Sequence, residues 1–212
     1  MQHTIEALAT ALQQPLPGVE AQYKMAHAIR TNYDLERPDN VRVACVLALL
    51  YPKADDWHIV FIRRTSTDER DRHAGQIGLP GGKREETDRT LEMVALREAQ
   101  EEIGVAPDDV RVLGRLTELY IPVSNFVVYP FVGHLNYRPQ FIPQELEVDE
   151  VIEVPFQHFG KSDIVQKTDI ELIDRVRLRN VPYFDLEGQV LWGATAMMMS
   201  ELIEVCKRDG IF

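Results

Sequence analysis

The feature that most constrains this chain is a helical stripe that changes character halfway along. Leu91, Ala95, Glu98 and Glu102 follow one another at spacings of four, three and four, which sets them on one continuous line of an α-helix. The line is apolar in its first half and acidic in its second. Carboxylates that merely faced water would lie opposite the apolar residues. Here they prolong the core-facing line, with Glu101 flanking it. An unpaired buried carboxylate is very costly, so a fold that buries this stripe must supply partners. Two kinds qualify: an arginine such as Arg97, giving a structural network, or a divalent cation of the hard, oxygen-seeking kind.

The flanks of the helix are marked. Asp88 or Thr90 can cap its start, Gly104 stops it after Ile103, and Pro107 lies beyond. Ahead of it runs "GLPGG", Gly78 to Gly82, which cannot be helical and exposes backbone N–H and C=O groups. Ahead of that is a polar, basic segment, "TSTDERDRHAGQ". His73 and Lys83 lie alongside the loop. Backbone donors, arginines and a carboxylate-held cation together describe a phosphate site.

The rest of the chain supplies a scaffold. "HTIEALATALQQPL" has helical spacing, and a second short helix fits Glu20 to Arg30. After the break at "ERPDN", Val41 to Tyr51 reads as a buried strand joined through "PKADD" to the strand "WHIVFIRR", a hairpin. "VRVLGRLTEL", "FVVYPFVGHL" and "VIEVPF" read as further strands, with an acidic loop, "PQFIPQELEVDE", before the last. "VRLRNVPYFDLEGQVLW" suggests a hairpin turning at Glu187-Gly188, and "GATAMMMSELIEVCK" a closing amphipathic helix. Strands and helices interleave without regular βαβ alternation, which favours α/β architecture with a mixed sheet between helices. With 212 residues, 45% of them hydrophobic, one domain is expected: residues 37–212, preceded by a helical extension at 1–36.

Charge and cysteine usage narrow the classes. The formal net charge of −11 disfavours non-specific nucleic-acid binding, and an anionic substrate would need local arginines or a metal. Cys45 and Cys206 stand far apart with no CxxC, so neither a disulfide framework nor a zinc site is expected. The N-terminus lacks a basic region followed by an apolar stretch, and no apolar run is long enough for a bilayer. No membrane association is expected, and a cytoplasmic setting fits.

The segment "GGKREETDRTLEMVALREAQEEIGV" resembles the signature of the Nudix hydrolases. Its second half carries the whole pattern in Arg97, Glu98, Ala99, Glu101, Glu102, Gly104 and Val105, and Gly82 supplies the first glycine. Asp88 stands where glutamate is usual, and eight residues rather than seven separate it from Arg97. Upstream, "FIRRT…RDRHAGQIGLPGG" is similar to the extra motif of the coenzyme A pyrophosphatase branch: Arg64 and Thr65 match its start, Arg70 or Arg72 its middle arginine, and Gly75 and "LPGG" its end, with Leu79 for the usual Phe.

The resemblance implies a Nudix-type α/β/α sandwich with a mixed β-sheet, and a metal-dependent hydrolase that cuts the diphosphate of coenzyme A or its thioesters to 3′,5′-ADP and 4′-phosphopantetheine or its acyl form. On that reading Mg²⁺ or Mn²⁺ is held by Glu98 and Glu102, with Glu101 assisting and Gly82 completing the shell. Glu101, or Glu147 or Glu150 from the acidic loop, is the candidate general base, and Arg97 orients the glutamates. Arg64, Arg70, Arg72 and Lys83 recognise phosphates. The partner is a small nucleotide diphosphate, and a homodimer is compatible with family habit. Alternatives are a pyrophosphatase for another nucleoside diphosphate derivative such as ADP-ribose, a non-catalytic nucleotide-sensing module, and a structural protein.

Overall fold

The central strand shows how the sequence becomes two cores. In β1 (Arg42–Lys53) alternate side chains point to opposite faces. Cys45, Leu47, Leu49 and Tyr51 enter one buried cluster, and Ala44, Ala48 and Leu50 the other. The computed structural model describes residues 2–31, 37–65, 75–172 and 176–212. Within them β1 forms the expected hairpin with β2 (Asp56–Arg64), Leu50 opposite Ile59, closed by Ala54 at positive φ.

Around this hairpin lie β3 (Ile77–Gly78), β4 (Gly81–Lys83), β5 (Arg111–Arg115), β6 (Leu119–Ile121), β7 (Phe126–His134) and β8 (Val148–Pro155). The spatial order is β3-β2-β1-β7-β5, with β4 on β1, β6 on β7 and β8 on β2. β1 and β7 run parallel while the other pairs are antiparallel, so the sheet is mixed. A second sheet has the order β11-β10-β9, from β9 (Val165–Glu171), β10 (Arg177–Leu186) and β11 (Gln189–Trp192). The Glu187-Gly188 turn joins β10 to β11, with both residues at positive φ.

The helices are α1 (Gln2–Ala11), α2 (Gly18–Tyr23), α3 (Ala28–Thr31), α4 (Leu91–Ile103) and α5 (Gly193–Arg208). α4 covers one face of the main sheet, packing Val94, Ala95, Ala99 and Ile103 on Cys45, Leu47, Leu49, Val60 and Ile62. α5 covers the other with Met197, Leu202 and Val205, joined by Ile5 and Leu8 of α1 and by Phe184 and Leu191 of the small sheet. The result is the expected mixed α/β sandwich. Among the described residues no helix is long and apolar enough to cross a membrane.

Two local expectations change, and one strand lies outside them. The single short helix at Glu20 to Arg30 is two, α2 and α3. The strand "VRVLGRLTEL" divides into β5 and β6, because Thr117 leaves the ladder to donate its N–H and hydroxyl to Glu201 of α5. β9 had no apolar alternation to betray it; its side chains are mostly exposed. Glu201 itself is fully buried and also accepts from Gly18 N at 3.0 Å and Gln22 Nε2 at 2.9 Å. A buried carboxylate is tolerable when several donors surround it, and this one ties α2 and the β5–β6 connection to α5.

Candidate active site

β4 brings backbone against the acidic helix, and glycine makes the approach sterically feasible. A Cβ on Gly81 would lie 2.3 Å from the Cys45 carbonyl oxygen, and one on Gly82 would lie 2.4 Å from Glu98 Oε2. α4 is held at both ends as its sequence predicts. Thr90 caps it, accepting from Met93 N at 3.2 Å, and Gly104 ends it in the left-handed conformation, φ 73°.

Of the acidic line, Glu102 is 1% exposed and Glu98 lies at the edge of the buried face. Glu102 Oε2 accepts from Gly81 N at 2.7 Å, and Oε1 from Arg64 Nη1 at 3.2 Å. Burial pushes its pKa up to about 7, against the opposing pull of the Gly81 N–H and Arg64. Glu98 pairs with Arg97 Nη2 at 3.0 Å, and burial raises its pKa too.

Arg97 is the hub. Its Nε and Nη2 grip the two oxygens of Asp88 at 3.1 Å each, Nη2 also reaches the Lys83 carbonyl at 3.1 Å, and Nη1 meets Glu101 at 2.9 Å. Asp88 is buried and takes a further bond from Glu85 N at 2.8 Å. The Arg97 guanidinium holds the Asp88 carboxyl below its ordinary range, and Asp88 in turn raises Arg97. The irregular acid of the motif is thus the anchor of the arginine that sets Glu98.

Above these groups lies a cavity of about 500 Å³ walled by Arg64, Gly82, Lys83, Glu98, Glu102 and Glu147, among others. The structure therefore brings together Arg64, Gly82, Lys83, Glu98 and Glu102 of the expected set. Arg97 stands behind them, and Glu101, an exposed side chain on Arg97, is not in the cavity wall. The two loop acids separate: Glu147 faces the cavity, while Glu150 bonds Arg63 at 3.1 Å. Arg70, Arg72 and His73 lie outside the described residues. Sequence reasoning had no signal for the Arg64–Glu102 pair, which joins residues 38 positions apart.

The donor set suits a hard cation. Among the described residues no three acidic, histidine or cysteine side chains already form a metal cluster. Glu102 is a buried carboxylate at the cavity wall, its oxygens turned toward Gly81 N and Arg64. Glu98 lies beside it in the same wall. Two carboxylates in one wall, beside a backbone loop, are the kind of oxygen donor a hard divalent ion prefers. Cys45, beneath the loop, is a buried free thiol with its pKa pushed up to about 12 by burial, which makes it inert packing.

Comparison with known proteins agrees with this geometry. The profile of the NUDIX domain matches residues 41–176. The uncharacterized Nudix hydrolase NudL of Pectobacterium atrosepticum is 39% identical over 144 residues, covering 68% of this chain and 72% of that protein. Chloroplastic Nudix hydrolase 22 of Arabidopsis thaliana is 34% identical over 163 residues, 74% of this chain but only 52% of that longer protein. Among solved structures, the Nudix hydrolase RenU of M. smegmatis shares the fold with a TM-score of 0.53 at 18% identity, covering 79% of this chain and 86% of that one. The profile match and the 39% identity carry the assignment: the chain belongs to the Nudix hydrolases, enzymes that act on pyrophosphate bonds.

Proposed function

We propose that this enzyme hydrolyses the diphosphate of coenzyme A or its thioesters, releasing 3′,5′-ADP and 4′-phosphopantetheine or its acyl form, with Mg²⁺ or Mn²⁺ as cofactor. The observation that carries the reading is one cavity wall holding both signs of charge. Glu98 and Glu102 stand beside Arg64 and Lys83. A diphosphate needs cations at its oxygens, and a metal needs carboxylates.

Glu98 and Glu102, with backbone oxygen at Gly82, would hold the ion, which when bound would neutralise phosphate charge and acidify water. Arg64 and Lys83 take phosphate oxygens and orient the anhydride. Arg97, fixed by Asp88, keeps Glu98 in register. Glu147, in the same cavity wall, accepts the proton of the attacking water as the water oxygen bonds phosphorus and the bridging P–O bond breaks. Support for coenzyme A over other diphosphates comes from the stretch that leads from Arg64 into "LPGG", which resembles the extra motif of that branch.

The test sets coenzyme A, dephospho-coenzyme A and ADP-ribose side by side with Mg²⁺ or Mn²⁺ and identifies the products. Coenzyme A should be cleaved fastest, to 3′,5′-ADP. ADP-ribose turned over far faster would overturn the substrate assignment. Glu102→Gln should abolish metal-dependent turnover with an unchanged circular dichroism spectrum, and wild-type turnover that survives excess chelator would overturn the metal reading.

A further inference from the structure

A second cavity, of about 320 Å³, opens beside the acidic one, and Arg64 and Gly81 belong to the walls of both. Its wall is chiefly aliphatic, with Val46, Leu79, Ile121, Val128, Leu178 and Met198. Arg30 and Arg64 are its charged members among the described residues, and no carboxylate joins them. In a chain of net charge −11 this is a chemical bias against cationic groups. Arg30 donates from Nη2 to the Tyr120 carbonyl at 2.5 Å, which fixes its guanidinium in the wall. Trp192 is the one indole in the wall. A purine would call for stacking faces, whereas branched aliphatic residues and a pliable methionine suit a flexible alkyl chain.

We infer that this cavity seats the aliphatic, uncharged arm carried by the scissile diphosphate, an extended chain of alkyl and amide groups, and that Leu178, Met198 and Arg30 set specificity for it. The inference rests on the diphosphate-hydrolase reading and adds the arm that the enzyme selects. Continuity through Arg64 puts the arm and the phosphates on one path.

The chain has two tryptophans, and Trp57 lines a different cavity. Trp57→Phe therefore leaves Trp192 as a reporter within the proposed seat. 4′-Phosphopantetheine should change its emission saturably, and ADP should not. Ala194→Phe adds a ring to the wall from the first turn of α5. It should raise the Kd for 4′-phosphopantetheine and the KM for coenzyme A about tenfold or more, with kcat and ADP-ribose cleavage changed less than about twofold. Val123→Phe, at an exposed rim position, should act in the same direction should Ala194→Phe fail to fold. Unchanged Trp192 emission with 4′-phosphopantetheine, or wild-type KM in the folded variants, overturns the seat. Loss of turnover on every diphosphate with 4′-phosphopantetheine binding retained would instead refute the hydrolase reading and support the seat.

Discussion

Gly82→Ala separates catalysis from folding in one methyl group. The new Cβ would lie 2.4 Å from Glu98 Oε2, 2.5 Å from Cδ and 2.7 Å from Oε1, while ordinary contact begins at 3.4 Å. The Glu98 carboxylate must therefore retreat by about 1 Å, a misplacement that can cost about 100-fold in rate. That equals roughly 2.7 kcal/mol of transition-state stabilisation. The fold should hardly notice. Gly82 does not use the left-handed region, and the atoms in the way belong to the end of a flexible side chain. We expect kcat/KM to fall about 100-fold with stability changed by less than about 1 kcal/mol. Gly81→Ala is the contrasting control. Its Cβ meets the Cys45 carbonyl at 2.3 Å and Val46 Cα at 2.6 Å, which are backbone and cannot yield. That variant should lose about 3 kcal/mol of stability. Steady-state kinetics and thermal melts on both proteins decide the matter. Full activity in Gly82→Ala, or a melting temperature as depressed as in Gly81→Ala, would refute the placement of Glu98 against the loop.

Three further outcomes follow from the same structure. Glu201→Ala strips one acceptor from Gly18, Gln22 and Thr117 in the core and should cost about 3–5 kcal/mol, by analogy with removing one side of a buried charged pair. In a chain of this size that is roughly 10 °C in Tm, and a melt within about 2 °C of wild type would contradict it. Asp88→Asn should destabilise at neutral pH by about 1–3 kcal/mol. Because the folded carboxyl lies below its ordinary 3.8, its contribution is present above that pH and is lost as pH falls through the lower folded value. The gap between wild type and variant in urea titrations should therefore close in acid, and a gap that widens there would reverse the sign. Glu147→Gln should lower kcat by about 100-fold or more if Glu147 is the base. Glu150→Gln, whose wild-type carboxylate pairs with Arg63, should leave it nearly unchanged; equal effects would unseat Glu147.

Much of the site was legible because its signals are local. The spacing of Ala95, Glu98 and Glu102 within one helix shows which way the carboxylates face, and Thr90 and Gly104 mark the helix ends. The glycines of the loop announce a close approach, although not to what. Asp88 was harder. Its displacement reads as a defect of the motif until the chain folds and the carboxylate meets Arg97 across a turn. Glu201 reads as an ordinary polar position on an amphipathic helix, because its donors come from residues 18, 22 and 117.

What the sequence by itself determined was the helix with its inward acids, the β1–β2 hairpin and the demand for positive charge near the buried glutamates. These follow from periodicity and from the cost of desolvating a carboxylate, both of which are properties of short segments. Only the tertiary structure decided who answers that demand. Arg64 meets Glu102, Arg97 divides itself among Asp88, Glu98 and Glu101, and Glu147 rather than Glu150 reaches the cavity. Such choices depend on strand register and on which loops share one sheet edge. A one-residue shift in a strand reverses the face of every side chain on it, and that is information no local pattern carries.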